Sequence, residues 1–250
     1  MPSSGSRTVR ADIFFAEKDQ ALREDVRKLG ELVGEVVLEQ GGEALFDLVE
    51  AARRASIAHR EGDSRALAEL KTLLGTLAAP TARELIRAFS TYFQMVNMAE
   101  KVHRIRRRGA YLRPSSTPQP YGFRDILEQL RDAGVAAEEV ASMLEELCVE
   151  PVFAAHPTEV TRRTLLRKQQ SIAGHLIELM DPYMTPEEIN ATYGRIRMQM
   201  STGWQTADYP AEGIRLRDEA EHVLFFLPDV LYRMMPPLYE SLESALSAVF

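Results

Sequence analysis

The sequence predicts a mainly α-helical fold that carries one short strand. Apolar residues recur at three- and four-residue spacing along most of the chain, the period of helices with one buried face. The interruptions fall at helix caps and breakers, notably Gly41-Gly42, Gly134 and Thr185-Pro186. Pro151-Val152-Phe153-Ala154-Ala155-His156 departs from this pattern. It is a brief apolar run with β-type residues and no polar face, as in a strand covered on both sides.

In chain order, Leu22, Val26, Leu29, Val33, Val36 and Val37 form one stripe of a helix over 19–40, which Gly41-Gly42 closes. A second helix over 43–60 buries Leu45, Leu48, Val49, Ala52 and Ala55. A third runs from Ser64 to about Leu77, with Leu67, Leu70 and Leu74 inward. Thr81-Ala-Arg-Glu84 has the spacing of a capping box and opens a long helix to about Arg108. Its core stripe holds Leu85, Phe89, Tyr92, Phe93, Val96 and Ala99. Residues 109–121, with Pro114, Pro118 and Pro120, read as an exposed loop. Helices resume over 123–133 and 137–148. After the strand, one runs from Thr158 to about Met180. Thr185-Pro186-Glu187-Glu188 supplies an N-cap, a first-turn proline and two acids to the next, which reaches about Trp204. The last ~35 residues hold two more helices, broken near Pro228 or at Pro236-Pro237.

A lone strand cannot form a sheet, because its buried backbone donors and acceptors would go unpaired. The chain also stops in an apolar helical stretch, with Leu242, Ala245, Leu246, Val249 and Phe250. It therefore reads as the amino-terminal part of something longer.

Composition narrows the function. A hydrophobic share of 45% supports a real core and argues against disorder. A formal net charge of -7 argues against a general nucleic-acid binder. Cys148 is the single cysteine, so an intramolecular disulfide and a cysteine-based zinc site are excluded, and a reducing cytosol fits. Met1 to Arg10 lacks the apolar core of a signal peptide, and no stretch approaches the ~20 apolar residues that cross a bilayer.

The chemistry concentrates at His156-Pro157-Thr158-Glu159, followed by Val160-Thr161-Arg162-Arg163. Pro157 biases His156 away from helical dihedrals, so its ring stands at the end of the extended segment. Thr158 can cap the next helix, whose amino-terminal dipoles favour an anion. A titratable ring at a strand's carboxyl end, beside such a helix start, is a common α/β active-site arrangement. Arg162 and Arg163 could grip anions through their guanidinium forks, or simply form salt bridges. Adjacent helical residues point in two directions, so at most one shares the pocket of His156. Arg104, Arg106, Arg107 and Arg108 read as a solvated helix end complementing the carboxyl-terminal dipole. His59, His103, His175 and His222 read as structural. Asp208 and Glu212 show no ligand spacing, so no metal site is assigned.

Val152-Phe-Ala-Ala-His-Pro-Thr-Glu-Val-Thr-Arg-Arg-Thr-Leu-Leu resembles the first signature of phosphoenolpyruvate carboxylases. Asp25-Val-Arg-Lys-Leu-Gly, Leu45-Phe-Asp-Leu-Val-Glu, the segment Ala88 to Glu100, and His103-Arg-Ile-Arg-Arg-Arg resemble family segments in order. Trp204-Gln-Thr and Glu221-His-Val-Leu-Phe-Phe-Leu continue the likeness. Ala154 stands where the family commonly has threonine. Only Asp208 follows Trp204-Gln-Thr, where an acidic pair is usual.

The resemblance implies a helical region over about 1–148 and, over about 149–250, the first strand and helices of an incomplete (β/α)8 barrel of TIM type. It implies a cytoplasmic lyase that joins phosphoenolpyruvate and bicarbonate into oxaloacetate and phosphate, with Mg2+ or Mn2+, as a homotetramer when complete. His156 matches the family's catalytic histidine. An imidazole, with an ordinary pKa of about 6.5, suits the proton acceptor for carboxyphosphate. In some members the arginine pair contributes to a sugar-phosphate activator site. The glycine-rich loop, catalytic lysine, metal-binding carboxylates and most substrate arginines of the family belong to later segments, so this piece alone is expected to be inactive. Two rival readings are a phosphohistidine carrier and a non-catalytic helical interaction module.

Overall fold

The computed structural model describes residues 17–113, 117–150, 152, 163–206 and 215–250. After a 3-10 turn, Glu17–Asp19, come α1 (Gln20–Arg60), α2 (Ser64–Gly75), α3 (Ala79–Tyr111), α4 (Phe123–Asp132) and α5 (Ala137–Glu146). Then follow α6 (Arg163–Glu178), α7 (Pro186–Trp204), α8 (Leu216–Phe226), a π-helical turn (Leu227–Leu231) and α9 (Tyr232–Val249). The mainly helical expectation holds, and the described residues contain no strand. Of the expected strand only Val152 is described; it is 86% exposed and lies outside any regular element. Residues 153–162, which hold the rest of it and the expected helix start at Thr158, lie outside the described residues, as do Pro114 and Asp208. None of the described helices is long and apolar enough to cross a membrane.

The chain divides into two compact units, Met1–His103 and Arg104–Phe250, with the boundary inside α3. In the first, α1 breaks at Gly42, which takes φ 77° and ψ 177°. Only glycine adopts such dihedrals without strain, so the expected stop at Gly41-Gly42 appears as a break within one element. The two halves then fold back on each other. A Cβ on Gly34 would lie 3.5 Å from the Phe46 ring, a contact that a straight helix with these residues twelve apart could not make. Gly30 lets Tyr92 of α3 approach to 3.3 Å from where a Cβ would stand. Leu29, Val36, Val37, Ala99 and Val102 are at most 1% exposed and form the centre of this unit. Near its edge the buried His103 sets Nε2 3.5 Å from Asp19 Oδ1, a structural placement as the sequence suggested.

Three sequence-based expectations need correction along α2 and α3. Thr81 does not cap α3: the Ala82 N–H already bonds the Ala78 carbonyl, so the helix starts three residues earlier, with Pro80 in the first turn where its missing N–H is harmless. α3 also continues past Arg108 to Tyr111, where the Arg107 guanidinium donates to the Tyr111 hydroxyl at 2.6 Å. Finally, Phe93 is 59% and Leu74 44% exposed rather than core. With Ile86 and Phe89 they line a shallow apolar groove of about 400 Å3, which no further described element of this unit covers.

In the second unit, Leu127 of α4, Val140 of α5 and Ala245 of α9 form one cluster, joined by Phe123, Leu144, Leu246 and Val249. α6 packs on α7. Between them Leu165, Ile172, Leu176, Thr192, Ile196, Met200 and Trp204 are buried. The start of α7 follows the sequence: the Glu188 N–H donates to Thr185 Oγ1 at 3.3 Å, and the Thr185 N–H donates to Glu188 Oε2 at 2.8 Å. Thr185→Ala is expected to cost about 1 kcal/mol, measurable by urea denaturation. The carboxyl-terminal break falls at Pro228. There the ladder widens, with the Tyr232 N–H bonding the Leu227 carbonyl five residues back, which accommodates a residue without an N–H. Pro236 and Pro237 sit inside α9 without ending it. They remove two donors, but the turns beyond them are anchored by the packing of Ala245, Leu246 and Val249.

Candidate functional site

The motif segment leads directly into α6, and that entrance is the part of the candidate site that the structure describes. His156 and Arg162 lie outside the described residues. Arg163 is the first residue of α6 and is exposed. Its guanidinium carbon stands 5.5 Å from the centroid of the Phe225 ring on α8, and Phe225 is only 3% exposed. The geometry is a cation over an aromatic face, worth about 0.5–1 kcal/mol at an exposed site. It restricts a long side chain to one side of the helix start while leaving its charge in water. Phe225 belongs to the Leu224-Phe225-Phe226 run, and a pairing across 62 positions has no local signal in the sequence.

The rest of α6 is clamped to α7 by polar contacts on the rim of their apolar seam. Lys168 Nζ donates to Thr202 Oγ1 at 2.7 Å. Further along, Arg195 donates to Glu178 Oε1 at 2.8 Å, and His175 Nδ1 lies 3.1 Å from Glu178 Oε2. His175, foremost by its hydrogen bond, and then Arg195 hold the Glu178 carboxyl below the ordinary carboxylate range. A carboxylate with a depressed folded pKa contributes stability above its unfolded pKa and loses it as pH falls through the folded value. The Glu178 contribution is therefore present at neutral pH and fades below about pH 4.5. Wild type and Glu178→Gln are expected to differ at pH 7 and to converge as pH falls below that point, seen as merging urea midpoints. The difference is small because the pair is solvent-exposed.

Among the described residues, no group of three or more His, Cys, Asp or Glu side chains is placed to hold a metal ion. Asp208 and Glu212 lie outside the described residues, as does the side chain of His222. Of the arginine run near the end of α3, Arg107 lies over the Tyr111 ring at 5.5 Å, and Arg104 and Arg108 are exposed, as expected of a solvated helix end. Cys148 is a free, exposed thiol.

Comparison with known proteins places this arrangement. A family described as phosphoenolpyruvate carboxylase matches residues 22–250. A phosphoenolpyruvate carboxylase of Xanthomonas campestris pv. campestris is 45% identical over 242 residues, 96% of this chain and 27% of that protein. Those of Alcanivorax borkumensis, 37% identical over 227 residues, and Ralstonia nicotianae, 35% over 247 residues, cover 90% and 98% of this chain. They are themselves covered only to 26% and 25%, so this chain spans about a quarter of the length of its curated relatives.

Proposed function

Because this chain belongs to the phosphoenolpyruvate carboxylase family, we propose that it supplies the amino-terminal part of an enzyme that joins phosphoenolpyruvate and bicarbonate into oxaloacetate and inorganic phosphate. The observation that carries the reading is the match over residues 22–250, which contains the whole His156 to Arg163 segment. In this reading residues up to about 148 form a helical region and those from about 149 begin a (β/α)8 barrel, with 152–155 as its first strand. His156 then stands at the barrel mouth.

The reaction explains why a base is required there. Bicarbonate oxygen attacks the phosphoryl group, the bond to the enol oxygen breaks, and carboxyphosphate and the enolate of pyruvate result. His156 takes the carboxyl proton of carboxyphosphate. Its carbon–oxygen bond to phosphate then breaks, releasing CO2 and phosphate, and the enolate carbon bonds CO2. An imidazole is largely neutral near pH 7 and can accept that proton, whereas an ordinary carboxylate is too weak a base and an ordinary lysine is already protonated. Water must be kept away, or the enolate is protonated to pyruvate. Arg162 and Arg163 are proposed to bind anions; Phe225 restricts the second of them. The family's Mg2+ or Mn2+ stabilises charge on the phosphate and the enolate when bound; its ligands, absent among the described residues, belong to later parts of the polypeptide. A cytoplasmic homotetramer is the proposed complete form.

The test uses the chain as it stands and the same chain joined at Phe250 to the remaining length of the Xanthomonas campestris relative. Bicarbonate-dependent oxaloacetate formation, followed by coupling to malate dehydrogenase, is expected only from the second. Activity in the 250-residue chain alone would contradict the expectation that this piece is inactive without the lysine and metal-binding carboxylates of later segments. Acid-labile phosphate on His156 would instead support a phosphohistidine carrier.

A further inference from the structure

Arg163 stands apart from the ion-paired arginines of this chain. Arg27, Arg53, Arg124, Arg195 and Arg217 each lie within 2.9 Å of a carboxylate oxygen. Arg163, the first residue of α6, has no carboxylate partner among the described residues. Its guanidinium carbon lies instead over the Phe225 ring of α8, 5.5 Å from the centroid. A carboxylate cancels the charge of an arginine that it pairs with. An aromatic face attracts the cation without cancelling it, and leaves donors of the guanidinium fork open to an anion. The ring is itself a fixed support: Phe225 is 3% exposed, and Phe226 meets it edge to face with centroids 5.3 Å apart.

We infer that Phe225 is a positioning residue for Arg163: its ring face presets the guanidinium, and the anion affinity of the α6 entrance depends on that π system on another helix. The physical reason is preorganisation. An exposed arginine samples many rotamers, and a ligand that fixes it must overcome that freedom. A cation already held over an immobile ring has less freedom left to lose, so the same anion binds more tightly. Bulk alone does not supply this. A leucine at position 225 could fill much of the space, but its aliphatic surface carries no quadrupole to attract a guanidinium. Arg167 provides the internal comparison. It lies one helical turn further along α6, is exposed, and has neither a carboxylate nor a ring as partner among the described residues. The inference rests on the anion-binding reading of Arg163 and not on which residue acts as base.

The test reads the arginine side chains directly, by nuclear magnetic resonance of the isotope-labelled 250-residue chain. The Arg163 Nε–H resonance is expected to carry an upfield ring-current shift that Arg167 lacks. Inorganic phosphate, the probe anion, is expected to move the Arg163 resonance along a saturable titration and to act more weakly at Arg167. Phe225→Leu is expected to abolish the ring-current shift and to weaken the phosphate response of Arg163 about two- to fivefold, leaving that of Arg167 unchanged. Should Phe225→Leu not fold, phenylalanines carrying one, two or three ring fluorines at position 225 decide. Fluorine nearly preserves the shape of the ring while withdrawing electron density from its face, so phosphate affinity at Arg163 is expected to fall stepwise along the series. Equal affinity in wild type and Phe225→Leu, or a flat fluorine series, overturns the positioning role and leaves Arg163 an anion ligand. A wild-type Arg163 resonance that phosphate does not move overturns the anion reading and the inference with it. Equal responses at Arg163 and Arg167 in the wild-type chain overturn the inference too, since they show that any exposed arginine attracts the ion as well. None of these readouts requires carboxylation.

Discussion

His156→Asn, placed in the fusion that completes this chain, is expected to lower oxaloacetate formation by about 10²–10⁴-fold, the range for loss of a general acid–base group. Asparagine is close in size and can still donate a hydrogen bond, but it accepts no proton near neutral pH. The expected loss falls on one step. Phosphoryl transfer from phosphoenolpyruvate to bicarbonate precedes the proton transfer and does not need the base. Phosphate release is therefore expected to continue in part, with pyruvate accumulating from the protonated enolate in place of oxaloacetate. Parallel assays with malate dehydrogenase and lactate dehydrogenase separate the products. Wild-type oxaloacetate turnover in the variant would remove His156 from the chemistry and favour a helical interaction module; loss of both products together would assign it to substrate binding.

Ile196→Ala is expected to cost about 2–5 kcal/mol, the largest stability effect predicted for this chain. Ile196 is 0% exposed on α7, in the seam against α6, and truncation leaves a cavity that neighbours fixed in two helices cannot fill. A domain is held by only about 5–15 kcal/mol, so the second unit is expected to melt early or to stay unfolded. Ile196→Val removes one methylene and is expected to cost about 0.5–1.5 kcal/mol. Met198, two residues away and 56% exposed, is expected to tolerate alanine within about 0.5 kcal/mol. Urea denaturation followed by circular dichroism ranks the three. An Ile196→Ala midpoint no lower than that of the Met198 variant would show that the seam is not the core of the α6–α7 pair.

Helix existence was readable to within a few residues, because caps and breakers act locally. Thr185 and Glu188 satisfy each other's backbone partners within four residues, and the start of α7 is where that pattern stands. Gly42 needs left-handed dihedrals, and the break is there. The failures are of another kind. Thr81 and Glu84 have capping-box spacing, yet the carboxyl end of α2 and the short link to Ala78 let α3 begin sooner. Phe93 and Leu74 share the periodicity of core residues but face an open groove. Of the two break positions that the sequence offers near the carboxyl end, Pro228 and Pro236-Pro237, the structure uses the first, and α9 passes through the second. Of the candidate site, the structure describes Arg163 at the start of α6, and its contact with Phe225 had no local signal in the sequence.

Periodicity, caps and glycines in the sequence alone determined that this chain is helical, where most helices lie and, through the His156 segment, which family it joins, since each depends on residues close along the chain. Tertiary structure decided what lies opposite each apolar stripe: Tyr92 against Gly30, Phe225 beneath Arg163, α4 and α5 over half of α9. A stripe records that a face avoids water; which surface removes it from water depends on elements tens of residues away, and only the packed fold brings those together.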